Sequence, residues 1–230
     1  MNVFEAMTNR RSVRRFLKKQ VDDNLIGLML HMATQAPSAG NTQEWEFVVV
    51  RNEEIKKKLA IAALHQAVVK EAPVAIVICA NLSRIGLKYG KRGETLYAAQ
   101  DIANATTNLM LSATALGLGT CWVGAFDEDR VKEVLELPEN LRPMVIAPVG
   151  YPDEKPEQPP RIPFEKMTHV DTYKNVYTLS YVTQPGVKTD VTLTRPIGNI
   201  VEDYIKSLGK EEKKDRKMTF QEFLKKLTKV

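Results

Sequence analysis

Residues 22–36, DDNLIGLMLHMATQA, carry Leu25, Leu28, Met29, Met32, Ala33 and Ala36 at spacings of three and four, the period of an amphipathic helix. Asp22 and Asp23 stand at its cap position and Pro37 stops it. EFVVVR, 46–51, is β-branched and reads as a buried strand, after which Asn52 caps EEIKKKLAIAALH, a helix with acidic residues in its first turn. VAIVICA, 74–80, is an unbroken apolar run of the kind buried on both faces of a sheet. A Gly-rich, basic stretch at 85–93 reads as a loop. It leads into ETLYAAQDIANATTNLMLSATALGLG, whose Ala and Leu content predicts a long central helix ending at Gly117 or Gly119. TCWVGAF then reads as a strand, DEDRVKEVLEL as a capped helix and PMVIAPVGY as a strand. The stretch 152–163, PDEKPEQPPRIP, has five prolines in twelve residues and is expected to run extended over the surface. Strands alternating with helices predict a three-layer α/β or α+β sandwich built from residues 1–173. Residues 174–230 are expected to form a C-terminal extension, with strand-like NVYTLSYV and VKTDVTLT followed by helical segments around a charged link.

Length and composition narrow the picture. A chain of 230 residues that is 43% hydrophobic can bury a substantial core, and one domain with an appendage is expected. No apolar run reaches the roughly 18 residues a bilayer span requires, and the N-terminus lacks an apolar block with a cleavage site. These features predict a soluble cytoplasmic protein. Cys79 and Cys121 sit in apolar runs and are expected to be core residues rather than a disulfide or a catalytic thiol. The net charge of +5 is unevenly placed: Met1 to Tyr204 holds 24 basic and 24 acidic residues, and Ile205 to Val230 holds 9 and 4. The body is neutral, and the excess belongs to the tail.

The usual catalytic signatures are missing. Neither GxGxxG nor GxxxxGK[ST] occurs, His31, His65 and His169 lack the spacing of a zinc hydrolase, and there is no CxxC or GxSxG. What remains is an anion site. RRSVRRF places Arg10, Arg11, Arg14 and Arg15 within six residues around Ser12; guanidinium forks and a hydroxyl suit a phosphate monoester. The competing reading is that these arginines complement the C-terminal end of a short helix over VFEAMTN and stay in water. A second element, PSAGNTQEW, offers Ser38, Asn41 and Gln43 around Gly40 just before a strand. It could recognise the amide-like edge of a heterocycle or be an ordinary turn. Trp45 fits a core or interface position better than a ligand platform.

RRSVRRF, APSAGNTQEWEFVVV, KEAPVAIVICA, GLGTCWVGAF and PPRIPFEKM, in this order, resemble the FMN-dependent nitroreductase family from Phe4 to about Tyr173. The resemblance implies an α+β fold, a three-layer α/β/α sandwich with a central mixed sheet, assembled as an intertwined homodimer. It implies FMN at the subunit interface, reduced by NADH or NADPH and reoxidised by a nitro compound, quinone or similar acceptor in a ping-pong cycle. By the same resemblance Arg10, Ser12 and Arg14 hold the FMN phosphate and ribityl chain, with Arg11 adding a backbone contact and Arg161 closing on the phosphate. Pro37, Ser38, Ala39 and Asn41 would reach the flavin from the partner subunit, Gln66 the pyrimidine edge, and Val123, Gly124 and Ala125 the reactive N5. The family's NTQPW run has Pro where Glu44 stands here. No catalytic side chain and no metal are expected, since hydride transfer belongs to the cofactor. Tyr89 in GLKYGKRG could belong to a lid or to a plain surface loop. The tail is expected to embrace the partner subunit. The rival functions are a flavin-binding sensor or carrier, and a nucleic-acid binder using the arginines and the basic tail.

Overall fold

The structure, a computed structural model, describes residues 1–175. The chain divides after Glu157, and each part is described by itself. In the first part, helices α1 (Val3–Asn9) and α2 (Asp23–Thr34) precede strand β1 (Trp45–Val50), and α3 (Glu53–Ala62) and α4 (Ala67–Glu71) lead to β2 (Val74–Asn81). There follow α5 (Leu82–Arg92), α6 (Ala98–Ala115), β3 (Gly119–Thr120), α7 (Glu128–Leu135) and β4 (Leu141–Gly150). The strand order is β1-β2-β4-β3 and all three ladders are antiparallel. The strand ladders of the described residues are thus antiparallel where a mixed sheet was expected; the parallel pairing is an isolated bridge, Ser12 to Thr120, outside the strands.

Alternation along β2 builds the three layers. Val74, Ile76, Ile78 and Ala80 face a core shared with Met29 and Ala33 of α2 and Ile102, Ala105 and Leu109 of α6. Ala75, Val77 and Cys79 face the opposite core, with Leu59 of α3, Val69 of α4 and Val131 of α7. Each of these seven strand residues is fully buried, as an apolar run without polar alternation requires. Free Cys79 and Cys121 are part of this packing.

Several local expectations are corrected. In α2 the buried stripe is Ile26, Met29 and Ala33, whereas Leu28 is 43% exposed; with apolar residues at 25, 26, 28, 29 and 30, spacing alone does not decide which face turns inward. EFVVVR is an edge strand with only Trp45 and Val50 buried. The stretch 85–93 is helical, forming most of α5, because Asn81 caps it through the Arg84 amide and the break at Gly90 (φ 53°) lies near its end. A π-type turn over Gly93–Tyr97 joins it to α6. TCWVGAF pairs only through Thr120 and an isolated bridge from Val123 to Ile146. The N–H of Ile146 points to Val123, and strand alternation turns position 148 the same way. That position is Pro148, which has no N–H to donate, so the ladder is interrupted between Thr120 and Val123.

In the second part, Phe164–Met167 forms a short 3-10 turn and Arg161 lies exposed, its guanidinium 3.3 Å from the Pro160 carbonyl oxygen. The extension expected over 174–230 lies outside the described residues apart from Lys174 and Asn175.

Candidate functional site

The arginine segment is fixed against the sheet by backbone bonds. The Val13 N–H donates to the Thr120 carbonyl at 2.9 Å and the Leu17 N–H to Tyr151. Val13 packs so closely on Gly119 that a Cβ at Gly119 would come within 2.8 Å of its side chain; only glycine lets the segment lie there. On its outer side, Glu154 accepts from the Arg14 amide at 2.6 Å and pairs with the Arg15 guanidinium at 3.3 Å. These amide bonds, chiefly that from Arg14, hold the Glu154 carboxyl below the usual carboxylate range.

The four arginines therefore have different roles. Arg15 is paired with Glu154. Arg11 turns back on α1 and donates to the Thr8 carbonyl at 2.7 Å, which is the helix-end reading realised for one residue of the cluster. The guanidinium groups of Arg10 and Arg14 have no acidic partner among the described residues. Arg10 and Ser12 line an open cavity of about 290 Å³ together with Thr107 and Met110 of α6 and Trp122. Cys121 lies behind them: burial pushes its thiol up, opposed by the positive charges of Arg14 and Arg10 and by a hydrogen bond with Ser12. Thr120 Oγ1 is buried with no partner among the described residues. A guanidinium and a serine hydroxyl lining a cavity, with a second guanidinium at Arg14 that has no acidic partner among the described residues, are a donor set that suits the phosphate end of FMN.

Gln66 and the 123–125 stretch meet, although 57 or more positions separate them: Gln66 Nε2 donates to the Ala125 carbonyl at 3.0 Å. Val123 is 1% exposed and anchored to Ile146, while Gly124 and Ala125 are open. The Pro37–Asn41 loop is held by α6, with the Ala39 N–H donating to Asp101 at 2.8 Å and Asn104 reaching the Pro37 carbonyl at 3.4 Å. Ser38 accepts from the Gln43 amide, Asn41 from the Gln43 side chain, and Lys88 donates to the Gly40 carbonyl at 2.8 Å. Gly40 and Asn41 both have positive φ, 53° and 58°. Sequence reasoning missed Thr107, Met110 and Trp122; the first two share a face of α6 at a spacing of three, which by itself looks like packing. Trp45 is 6% exposed and belongs to the core.

The nitroreductase family model matches residues 7–70 and 60–151. This chain belongs to the nitroreductase family. A relative from Methanothermobacter thermautotrophicus, named for NADH dehydrogenase or NAD(P)H nitroreductase activity, is 37% identical over 72% of this chain and 88% of its own. The FMN reductase [NAD(P)H] of Bacillus subtilis is 28% identical, covering 75% of each chain. Among solved structures, a nitroreductase family protein from Streptococcus pneumoniae superimposes with a TM-score of 0.68 at 28% identity, over 73% of this chain and 99% of that one.

Proposed function

We infer that the protein is an NAD(P)H-dependent flavin oxidoreductase that holds FMN through Arg10, Ser12 and Arg14 and works as a homodimer. The observation that carries this reading is that Arg10 lines the cavity with Ser12 and that neither its guanidinium nor that of Arg14, two residues beyond Ser12, meets a carboxylate among the described residues. Related proteins named FMN reductase and NADPH-flavin oxidoreductase support the choice of flavin and donor. FMN, when bound, supplies a two-electron carrier between NADH or NADPH and an acceptor such as a nitro compound or quinone. The chain's own part is to bind and orient. Arg10 and Arg14 neutralise the phosphate, Ser12 adds a neutral donor, and Gln66 holds the 123–125 backbone so that its amides are fixed before reaction rather than reorganised during it. In this reading the Pro37–Asn41 loop serves the partner's flavin.

Titration with FMN tests the proposal. The purified protein is expected to turn yellow and to bleach on anaerobic addition of NADPH or NADH; a protein that takes up no FMN refutes it. Arg10→Ala with Arg14→Ala is expected to stay folded and to weaken FMN binding by about 100-fold or more, since charge-assisted hydrogen bonds contribute roughly 1.5–3 kcal/mol each. Unchanged occupancy would place the phosphate elsewhere.

A further inference from the structure

The structure buries Glu44 completely at the head of β1. Its Oε2 accepts from the Thr42 hydroxyl at 2.7 Å, while Oε1 is buried with no hydrogen-bond donor among the described residues. A second buried carboxyl, Asp101 of α6, 5% exposed, converges on the same loop: Thr42, which donates to Glu44, also bonds the Ala39 carbonyl, and Asp101 holds the Ala39 N–H. Asp101 Oδ2 accepts the Ala39 N–H at 2.8 Å, so it grips the loop that carries the candidate flavin contacts. Two buried carboxylates side by side repel, and an orphaned carboxylate oxygen in the interior is costly.

The cations bonded to this loop are engaged by other groups. Lys88 of α5 donates to the Gly40 carbonyl, and Arg84 to the Gln43 carbonyl and the Glu46 carboxylate. Glu46 on β1 adds negative charge, neutralised by Arg84 at 2.7 Å. What completes the geometry is one proton. A protonated Glu44 donates from Oε1 to Asp101, keeps the Thr42 bond on its other oxygen, and leaves Asp101 free to hold Ala39. Glu44 is fully buried with one oxygen lacking a donor, so its charged form is the costly one and the proton is placed on Glu44.

We propose that a protonated Glu44 donates to Asp101 and that the two act together as a positioning pair that clamps the Pro37–Asn41 loop, so that flavin affinity follows the protonation of Glu44. The proposal rests on the flavin reading for its second half only. Burial, with Asp101 as a neighbour, raises Glu44 above the ordinary carboxyl range. A carboxyl raised in the folded state contributes stability that is present below its ordinary pKa and is lost as pH rises through the raised value. At high pH both groups carry charge and the clamp opens.

Glu44→Gln is the decisive variant, because the amide keeps an acceptor for Thr42 and a permanent donor for Asp101. FMN dissociation constants of parent and variant are measured by fluorescence quenching from pH 5 to 9, alongside unfolding midpoints of both apoproteins. The phosphate of FMN ionises near pH 6 in both titrations and cancels in the ratio. Above the ionisation of Glu44, the ratio of parent to variant dissociation constants is expected to climb by up to roughly tenfold per pH unit. The parent's unfolding midpoint is expected to fall relative to that of Glu44→Gln over the same interval. A flat ratio and a pH-independent midpoint difference overturn the pair. Absence of FMN binding by every form overturns the flavin reading, and the apoprotein midpoints then decide the pair alone. Asp101→Asn serves if Glu44→Gln does not fold: its amide donates to an ionised Glu44, so its stability relative to the parent should rise with pH, and no such rise refutes the proton on Glu44.

Discussion

At Cys79 the environment overrides the side chain's intrinsic chemistry. Its thiol is pushed up to about 12, by burial first and then by the Glu46 carboxylate. Iodoacetamide should leave Cys79 unmodified in the native protein near pH 8 and label it only after unfolding, as peptide mass spectrometry would show. Lys56 is a parallel case. It is 1% exposed, yet its ammonium donates to the Ala72 carbonyl at 2.6 Å and the Glu53 carboxylate at 2.9 Å, tying α3 to the end of α4. Lys56→Met keeps most of the apolar stem and strands the Ala72 carbonyl; a loss of about 1–3 kcal/mol in chemical denaturation is expected. Nothing in KKK distinguishes Lys56 from Lys57 or Lys58, because neighbours on a helix differ only by which way they face. The Arg10–Arg15 cluster was legible in the sequence as a run of cations around Ser12, but the division of labour within it was not. It depends on Glu154, nearly 140 positions away, and on the nearby Thr8 carbonyl.

Elements announced themselves where one local cause was enough. Asn52 accepts from the Glu54 and Ile55 amides as its position before two acidic residues predicts, and Asn52→Ala should cost about 1 kcal/mol in denaturant unfolding. β2 followed from its unbroken apolar run. Ile76→Ala, fully buried against α2 and α6, is expected to lose about 2–5 kcal/mol in the same measurement. The stretch 85–93 misled because glycines at 86, 90 and 93 suggest a loop, whereas packing of Ile85 and the Asn81 cap hold a helix there. TCWVGAF misled for the opposite reason: its residues favour a strand, but its partner strand supplies Pro148 where a ladder bond is needed.

At the scale of the whole molecule, the alternation of strands and helices and the two-sided burial of β2 determine a three-layer sandwich, and family membership follows from motifs in fixed order. No helix among the described residues is long and apolar enough to cross a membrane. Trp122, at 41% exposure, and Phe4, at 41%, lie open on the single chain. Sedimentation is expected to return a mass of twice 25.9 kDa; a monomer that binds FMN fully would refute the assembly proposed here. The sequence by itself determined the elements with a single local cause, the buried strand, the anion-binding composition and the family, since periodicity, caps and motifs are properties of neighbours along a chain. Only the tertiary structure decided which face of α2 turns inward, which two of four arginines stay free, that Gln66 meets Ala125, and that Glu44 lies buried against Asp101. Each of those is a contact between residues far apart in the chain, and its energy depends on burial and on the partner, neither of which a linear pattern contains.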